Sequence, residues 1–279
     1  MSDLRLRARS VTEIVDAAFQ LYKRDALEYV LVTAIAYAPM IVAQLIFFRG
    51  LTLMSAQQVG GSPWNTLLLA FGGGIAYILM LGVVSRFASD VYLERPTGLG
   101  LVLRDVWQVM PGLIGATILF WLTFVLGFVP MIIGIATSSG LLVFLGVLLG
   151  IAWFFYALAR FFAVLQLIVL ERQGVIAAFA RSGFLSQNRK GHILLTLFLV
   201  FVILVMLSFA VSIVGVLVGS LAGSMALSLV VQTLYTVVAY PLVGITQMVL
   251  YYDARIRAEG FDIEVMTGAL GTSSATGLT

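Results

Sequence analysis

The chain has 279 residues, of which 61% are hydrophobic and only 10% charged, and its mean hydropathy is +1.09. Soluble domains carry about a quarter charged residues, so a soluble domain of this size could not keep so much apolar surface out of water, and a bilayer must be the solvent for most of the chain. The formal net charge of +3 comes from basic residues scattered among acids rather than gathered in a stripe, which argues against a nucleic-acid partner, and the absence of Cys excludes disulfides and thiolate ligands or nucleophiles.

The first 25 residues carry Arg5, Arg7, Arg9, Glu13, Asp16, Lys23 and Arg24 without an apolar core of the signal-peptide type. The first hydrophobic segment is therefore expected to act as an uncleaved signal-anchor. At about 100° per residue, Val11, Ile14, Val15, Ala18, Phe19, Leu21 and Tyr22 share one helical face. Thr12, Glu13, Asp16, Gln20, Lys23 and Arg24 share the other.

Six segments reach the ~20 apolar residues that cross the hydrocarbon layer as a helix: 28–48, 66–88, 113–136, 141–165, 193–217 and 226–250. The runs are continuous rather than alternating with period two, which argues against barrel strands. The expected fold is all-α, a polytopic membrane protein with six transmembrane helices. Fourteen of the sixteen basic residues fall before the first span, between spans two and three, between four and five, and after span six. Only Arg49 lies opposite, and Arg160 is undecided. All thirteen acids share the basic side, so both termini are expected in the cytoplasm, with the chain in the inner (cell) membrane. The outer connections Gly50–Asn65, Thr137–Gly140 and about 218–225 carry no charge.

An internal repeat organises the spans. An offset of 77 carries Leu93, Glu94, Arg95 and Arg104 onto Leu170, Glu171, Arg172 and Arg181, and Trp107 onto Phe184. An offset of 88 carries Val11, Val15, Phe19, Gln20 and Leu21 onto Leu99, Leu103, Trp107, Gln108 and Val109. The repeats occupy about 1–95, 96–172 and 173–257 of one membrane domain, 1–266. Each is an interfacial amphipathic helix followed by two spans. In the second copy Leu99, Val102, Leu103, Val106, Trp107, Val109 and Met110 oppose Arg104, Asp105 and Gln108, bracketed by Pro96 and by Pro111 as a helix break. In the third, Val175, Ile176, Phe179, Ala180 and Phe184 oppose Arg181 and Ser182. The small, polar stretch 267–279 is expected to be a disordered cytoplasmic tail.

Three stretches carry a family resemblance: "SVTEIVDAAFQLYKR" (Ser10–Arg24), "VLERQGVIAAFARSGFLSQNR" (Val169–Arg189) and "VLYYDARIRAEGFDI" (Val249–Ile263). With the six spans, the chain resembles a bacterial and archaeal membrane-domain family named for its fusion to some glycerophosphoryl diester phosphodiesterases. The resemblance implies a standalone six-span member, a kind with no settled activity. It does not imply phosphodiesterase activity, which belongs to a separate barrel domain that uses His and carboxylate metal ligands.

Candidate sites lie on the charged side. Arg160 interrupts the run from Trp153 to Phe162. It either snorkels to the boundary, since 19 residues beyond Leu141 already rise about 28 Å, or is buried against a carboxylate or a lipid phosphate. Glu171, Arg172, Arg181, Arg189 and Lys190 form the densest charged group, and with Arg104 they are candidate contacts for anionic headgroups or a membrane-protein partner. The same basic excess also follows from topology alone. Glu94 and Glu171 could pair with arginines of neighbouring repeats. In span six, Ser228, Gln232, Thr236 and Tyr240, with Gln247 beyond Pro241, form a polar row that either lines a path or hydrogen-bonds between helices. Gly146 and Gly150, and Gly215, Gly219 and Gly223, read as packing faces, and Gly72-Gly73-Gly74 as a bend or close contact. His192 is the only His, and no catalytic motif, metal site or cofactor site is recognisable. The sequence thus points to a non-enzymatic membrane module engaging lipids or a membrane partner through its basic face. A small transporter with a polar path along span six is the alternative.

Overall fold

The computed structural model describes residues 7–47 and 63–260. Arg5, Arg49, most of the outer connection Gly50–Asn65 and the tail 267–279 lie outside them. The described residues form helices and no strands. In chain order these are α1 (Val11–Arg24), α2 (Ala26–Phe47), α3 (Pro63–Tyr92), α4 (Leu99–Gly127), α5 (Val129–Ala136) and α6 (Gly140–Arg160). Then follow α7 (Val164–Glu171), α8 (Val175–Leu185), α9 (Lys190–Leu221), α10 (Met225–Ala239) and α11 (Pro241–Glu259).

Five stretches are long and apolar enough to cross a membrane: Gly72–Tyr92, Leu99–Gly127, Gly140–Glu171, Lys190–Leu221 and Leu227–Glu259. A sixth is reached if α1 and α2, bent by 88° around Asp25, count as one broken span. The chain is an all-α, polytopic membrane protein.

Two expectations change. The second amphipathic helix and the third span are one helix, α4, and Pro111 lies inside it rather than ending it. Proline removes the N–H that would return to the carbonyl four residues back, that of Trp107. Both residues are exposed, so that carbonyl can be satisfied from outside the helix. The third span breaks instead at Phe128, where Pro130 enters the first turn of α5, a position whose N–H has no helical partner anyway.

The start of α1 is set by a reciprocal cap. The Ser10 amide donates to Glu13 Oε2 at 2.8 Å, and the Glu13 amide donates to Ser10 Oγ at 3.4 Å. Arg7 pairs with the same carboxylate at 2.7 Å. The Ser10 amide, and after it the Arg7 guanidinium, hold the Glu13 carboxyl down at about 2.

Contacts divide the chain into two compact units that coincide with no single repeat. One comprises residues 1–18, 115–196 and 246–279, the other 19–114 and 197–245. In the first, α5 and α6 form a hairpin through Thr137–Ser139, where Ser138 takes φ 55° and Ser139 Oγ accepts from the Leu142 amide at 3.4 Å. Glycines let the two backbones meet. A Cβ on Gly146 would lie 2.2 Å from Met131 N, one on Gly134 2.5 Å from Val143 N, and one on Gly150 2.5 Å from the Phe128 ring. In the second unit Tyr29 is fully buried, edge-on to Phe87 at 5.1 Å. A Cβ on Gly244 would lie 2.8 Å from Val84, and one on Gly219 2.9 Å from Ser228. The Gly72–Gly74 run lies inside α3. Only Gly73 is close-packed, where a Cβ would meet Met40 at 3.3 Å.

Outward faces stay apolar and uncovered. Phe144, Leu148, Phe201, Met206 and Phe209 are all exposed. In hydrocarbon such faces need no protein cover, and helices associate through close packing and hydrogen bonds instead.

Gly146→Ala is expected to destabilise the protein by about 1–3 kcal/mol, because the added methyl meets backbone that cannot swing away. Gly140→Ala, with open space around its Cα, is expected to leave the melting temperature in detergent unchanged. Equal melting of the two variants would show that the α5–α6 approach is not tight. At the cap, a Glu13 carboxyl below its unfolded value of about 4.3 adds stability that is complete above that pH. That stability is lost as pH falls toward 2. Hydrogen exchange of the first α1 amides should therefore quicken across that window in the wild type, and Glu13→Gln should remove the pH dependence.

Candidate functional site

Glu171 ends α7, and the chain turns at once through Arg172, left-handed at φ 53°, into α8. The turn leaves the carboxylate only 18% exposed, a costly state unless cations and donors meet it. Four side chains do. The Tyr251 hydroxyl and Gln173 Nε2 (2.9 Å) hydrogen-bond to it, and Arg181 (3.2 Å) and Arg255 (3.6 Å) pair with it. Glu259 closes the group, accepting from Arg181 at 3.1 Å and from Arg255 at 3.0 Å.

The last two turns of α11 explain how so much charge is held there. Tyr251, Arg255 and Glu259 recur at i+4 spacing and share one face, the one that meets Glu171 and Arg181. Asp253 and Arg257 lie on the opposite face and form a second group. The Asp253 carboxylate, 3% exposed, accepts from the Arg9 amide at 2.7 Å and pairs with Arg257 at 2.9 Å. His192 Nε2 stands 3.5 Å away. Arg257 also donates to the Arg9 carbonyl at 2.6 Å, and Arg189 donates to the Arg257 carbonyl at 2.9 Å.

The sequence-derived candidates therefore part company. Glu171 and Arg181 are turned inward, Arg189 is tied to a carbonyl, and Arg172 caps a helix. Arg160 ends α6 and is half-buried. Its Nη1 donates to the Tyr156 hydroxyl at 3.3 Å, its guanidinium lies 5.9 Å from the Phe161 ring, and a Cβ on Gly183 would sit 3.2 Å from its Nη2. Lys190 opens α9, with its ammonium 5.4 Å from the centroid of the Tyr156 ring, which Arg160 approaches to 6.0 Å. Among the described residues no carboxylate lies within ion-pair distance of Arg160 or Lys190. Arg104 is exposed on α4, and no described residue pairs with it.

Glu171 pairs with Arg181 and Arg255, both in the stretch 173–257. Glu94 forms no ion pair among the described residues and instead takes φ 53° at the end of α3. The buried acid of that region is Asp90, paired with Arg86 at 2.6 Å, and Arg86 also reaches Asp105 at 3.3 Å.

The polar row is engaged in helix contacts. Ser228 fills the space beside Gly215 and Gly219, the Ser212 hydroxyl lies 3.4 Å from Gln232 Oε1, and the Thr236 hydroxyl donates to the Gln232 carbonyl at 3.0 Å. The Tyr240 ring is edge-on to those of Tyr77 and Tyr235 at 5.8 Å. In the other unit Gln247 accepts from Gln166 at 3.3 Å.

Sequence reasoning passed over Tyr251, Asp253, Arg255, Arg257 and Glu259 as partners. Their signal was present in the i+4 pairs Asp253/Arg257 and Arg255/Glu259 at the end of an apolar helix. Tyr156 gave none, because an aromatic near a span boundary is ordinary. Among the described residues no group of three His, Cys, Asp or Glu is placed to hold a metal ion.

Glu171→Ala leaves Tyr251 and Gln173 without their acceptor and Arg181 and Arg255 with Glu259 alone, and unfolding in detergent is expected to become easier by about 3 kcal/mol. Adding Arg181→Gln should recover part of that loss. Strictly additive effects in this double-mutant cycle would mean that the pair does not interact. No protein-family model matches this chain, and no curated protein or solved structure matches it either.

Proposed function

We propose that the chain is a non-enzymatic, multi-pass module of the cell membrane that seats its charged helix ends in the cytoplasmic headgroup layer and engages anionic lipids there. The reading rests most on what the α4 and α8 surfaces leave outside. Trp107 is 68% exposed beside the exposed Arg104, and Phe184 and Ile176 are 51% and 73% exposed on α8. Trp107 and Phe184 are the positions that the 77-residue offset equates. The sequence pattern puts Trp107 on the apolar face of an interfacial helix with Val102, Val106 and Met110; those three are buried, and Trp107 is left exposed. A large aromatic left outside next to an arginine suits the boundary between acyl chains and headgroups, where its ring is apolar and its N–H is wet.

The positive-inside count supports cytoplasmic termini. The basic residues near the surface supply attraction for anionic lipid of about 1 kcal/mol each. The same proposal keeps the chain beside the membrane-domain family that its sequence resembles.

Brominated phospholipids test the seat of Trp107. The wild type and Trp107→Phe are reconstituted in lipids brominated near the glycerol end or near the methyl end of the acyl chain. The fluorescence difference between the two proteins isolates Trp107. Quenching by the shallow bromine and not by the deep one is expected. A Trp107 signal untouched by either places it against water or protein. In that event a membrane-protein partner on this face becomes the reading to pursue.

A further inference from the structure

We infer that Arg160, Lys190 and Tyr156 form a binding site for the phosphate of an anionic phospholipid headgroup. The inference rests on the proposed function and names one lipid contact within it.

Arg160 is held from several sides. The Tyr156 hydroxyl accepts from its Nη1 at 3.3 Å, and Gly183 leaves the space in which its guanidinium lies. Its carbonyl accepts from the buried Ser182 hydroxyl at 2.9 Å, and that hydroxyl in turn accepts from the Ala163 amide at 3.2 Å. The side chain is thus oriented, yet no described carboxylate pairs with it. Lys190 approaches the same tyrosine ring at 5.4 Å. Its neighbour Arg189 turns away to the Arg257 carbonyl, so consecutive basic residues serve different tasks. Lys190 also opens a helix of 32 residues, whose N-terminal end carries the positive pole of the helix dipole. Two cations therefore converge around one ring. At the rim of a bilayer such charge calls for an anion, and a guanidinium presents a planar fork that suits phosphate.

The surroundings identify a lipid as the carrier of that phosphate. Trp153 stacks on Tyr156 at 5.6 Å and is anchored through its Nε1–H to the Thr123 carbonyl at 2.8 Å. Further along α6, Leu148, Leu145, Phe144 and Leu141 are exposed. They form an apolar track for an acyl chain leading away from the cations. A soluble phosphoester would have no use for that track.

The full-length protein is incorporated into nanodiscs of phosphatidylcholine mixed with phosphatidylglycerol, and lipid retention is read by native mass spectrometry. Arg160→Gln and Lys190→Gln are each expected to lower phosphatidylglycerol retention by more than the about fivefold that any one basic residue near a membrane surface is worth. Arg160→Lys should fall between, and Lys23→Gln, which removes an equal charge elsewhere, should lose no more than that fivefold. Water-soluble glycerol 3-phosphate should leave the lipid in place. If Arg160→Gln fails to fold, Lys190→Gln carries the test.

Unchanged retention in the Arg160 and Lys190 variants overturns the site, as does an equal loss in Lys23→Gln. In both cases the proposed function survives. Displacement by glycerol 3-phosphate overturns the lipid as source. A wild type that retains no phosphatidylglycerol removes both the site and the proposed function.

Discussion

A carboxylate at the end of an apolar helix must either reach water or be met by cations, because its desolvation otherwise costs several kcal/mol. Glu171 and Asp253 take the second course, and much of the unit that contains them is arranged accordingly. The left-handed turn at Arg172 sends α8 back so that Arg181, ten residues on, returns to Glu171. The end of α11 lies between the two acids, with Tyr251, Arg255 and Glu259 on one face and Asp253 and Arg257 on the other. A helix end carrying four charged residues is thereby buried deeply enough that Tyr251 is inaccessible and Asp253 nearly so. The chain before α1 joins the same arrangement through the Arg9 amide and carbonyl. Sequence-distant segments are fixed in this unit by polar contacts at the charged ends of its apolar helices.

Within the hydrocarbon a different constraint applies. Lipid chains are as apolar as leucine, so burying an aliphatic side chain against another helix gains little, and association depends on close approach and hydrogen bonds. The α5–α6 hairpin shows the first device, with Gly146 against the Met131 backbone. The α9–α10 contact shows both devices, with Gly219 against Ser228 and the Ser212 hydroxyl near Gln232. Outside those seams α9 presents phenylalanines and leucines outward. In water such a surface would aggregate, whereas in lipid it is the solvated face. This accounts for a polar row in span six that is tied up by its neighbours. An amide or hydroxyl in hydrocarbon costs free energy unless it is bonded; Gln232 meets the Ser212 hydroxyl of the neighbouring helix, and Thr236 bonds the Gln232 carbonyl of its own.

The spans were legible in the sequence because twenty consecutive apolar residues have few other uses. Their ends were less so. Pro111 reads as a break on propensity, but exposure lets α4 carry it, while the real interruption at Phe128 has no strong local signal beyond Pro130. Trp107 was legible as a member of an apolar helical face, but the pattern alone does not tell the residues of that face that other helices bury, Val102 and Val106, from one left exposed. The charged side was legible as a side, not as a site. Counting Arg and Lys treats Arg181 and Lys190 alike, although one is turned onto Glu171 and Glu259 and the other onto an aromatic ring. Only three-dimensional contacts separate them, because Glu259 lies 78 residues from Arg181.

That separation changes what the basic face presents to its surroundings. Arg181, Arg255 and Arg257 are matched by Glu171, Glu259 and Asp253 at close range. Opposite charges a few ångströms apart cancel at distances beyond the Debye length of about 8 Å, so this group adds little to the field an approaching anion meets. It acts as structure. Among the described residues Arg160 and Lys190 have no such carboxylate, and Arg160 is also constrained in direction by Tyr156 and Gly183. A flexible surface lysine gives only general attraction, whereas a positioned guanidinium adds geometry, and geometry is needed to tell one headgroup from another. The neutral network and the positioned pair are joined by α8. Its Ser182 fixes the Arg160 carbonyl while the adjacent Arg181 is locked onto Glu171. Loosening the ion-pair network would therefore also loosen the frame that aims Arg160.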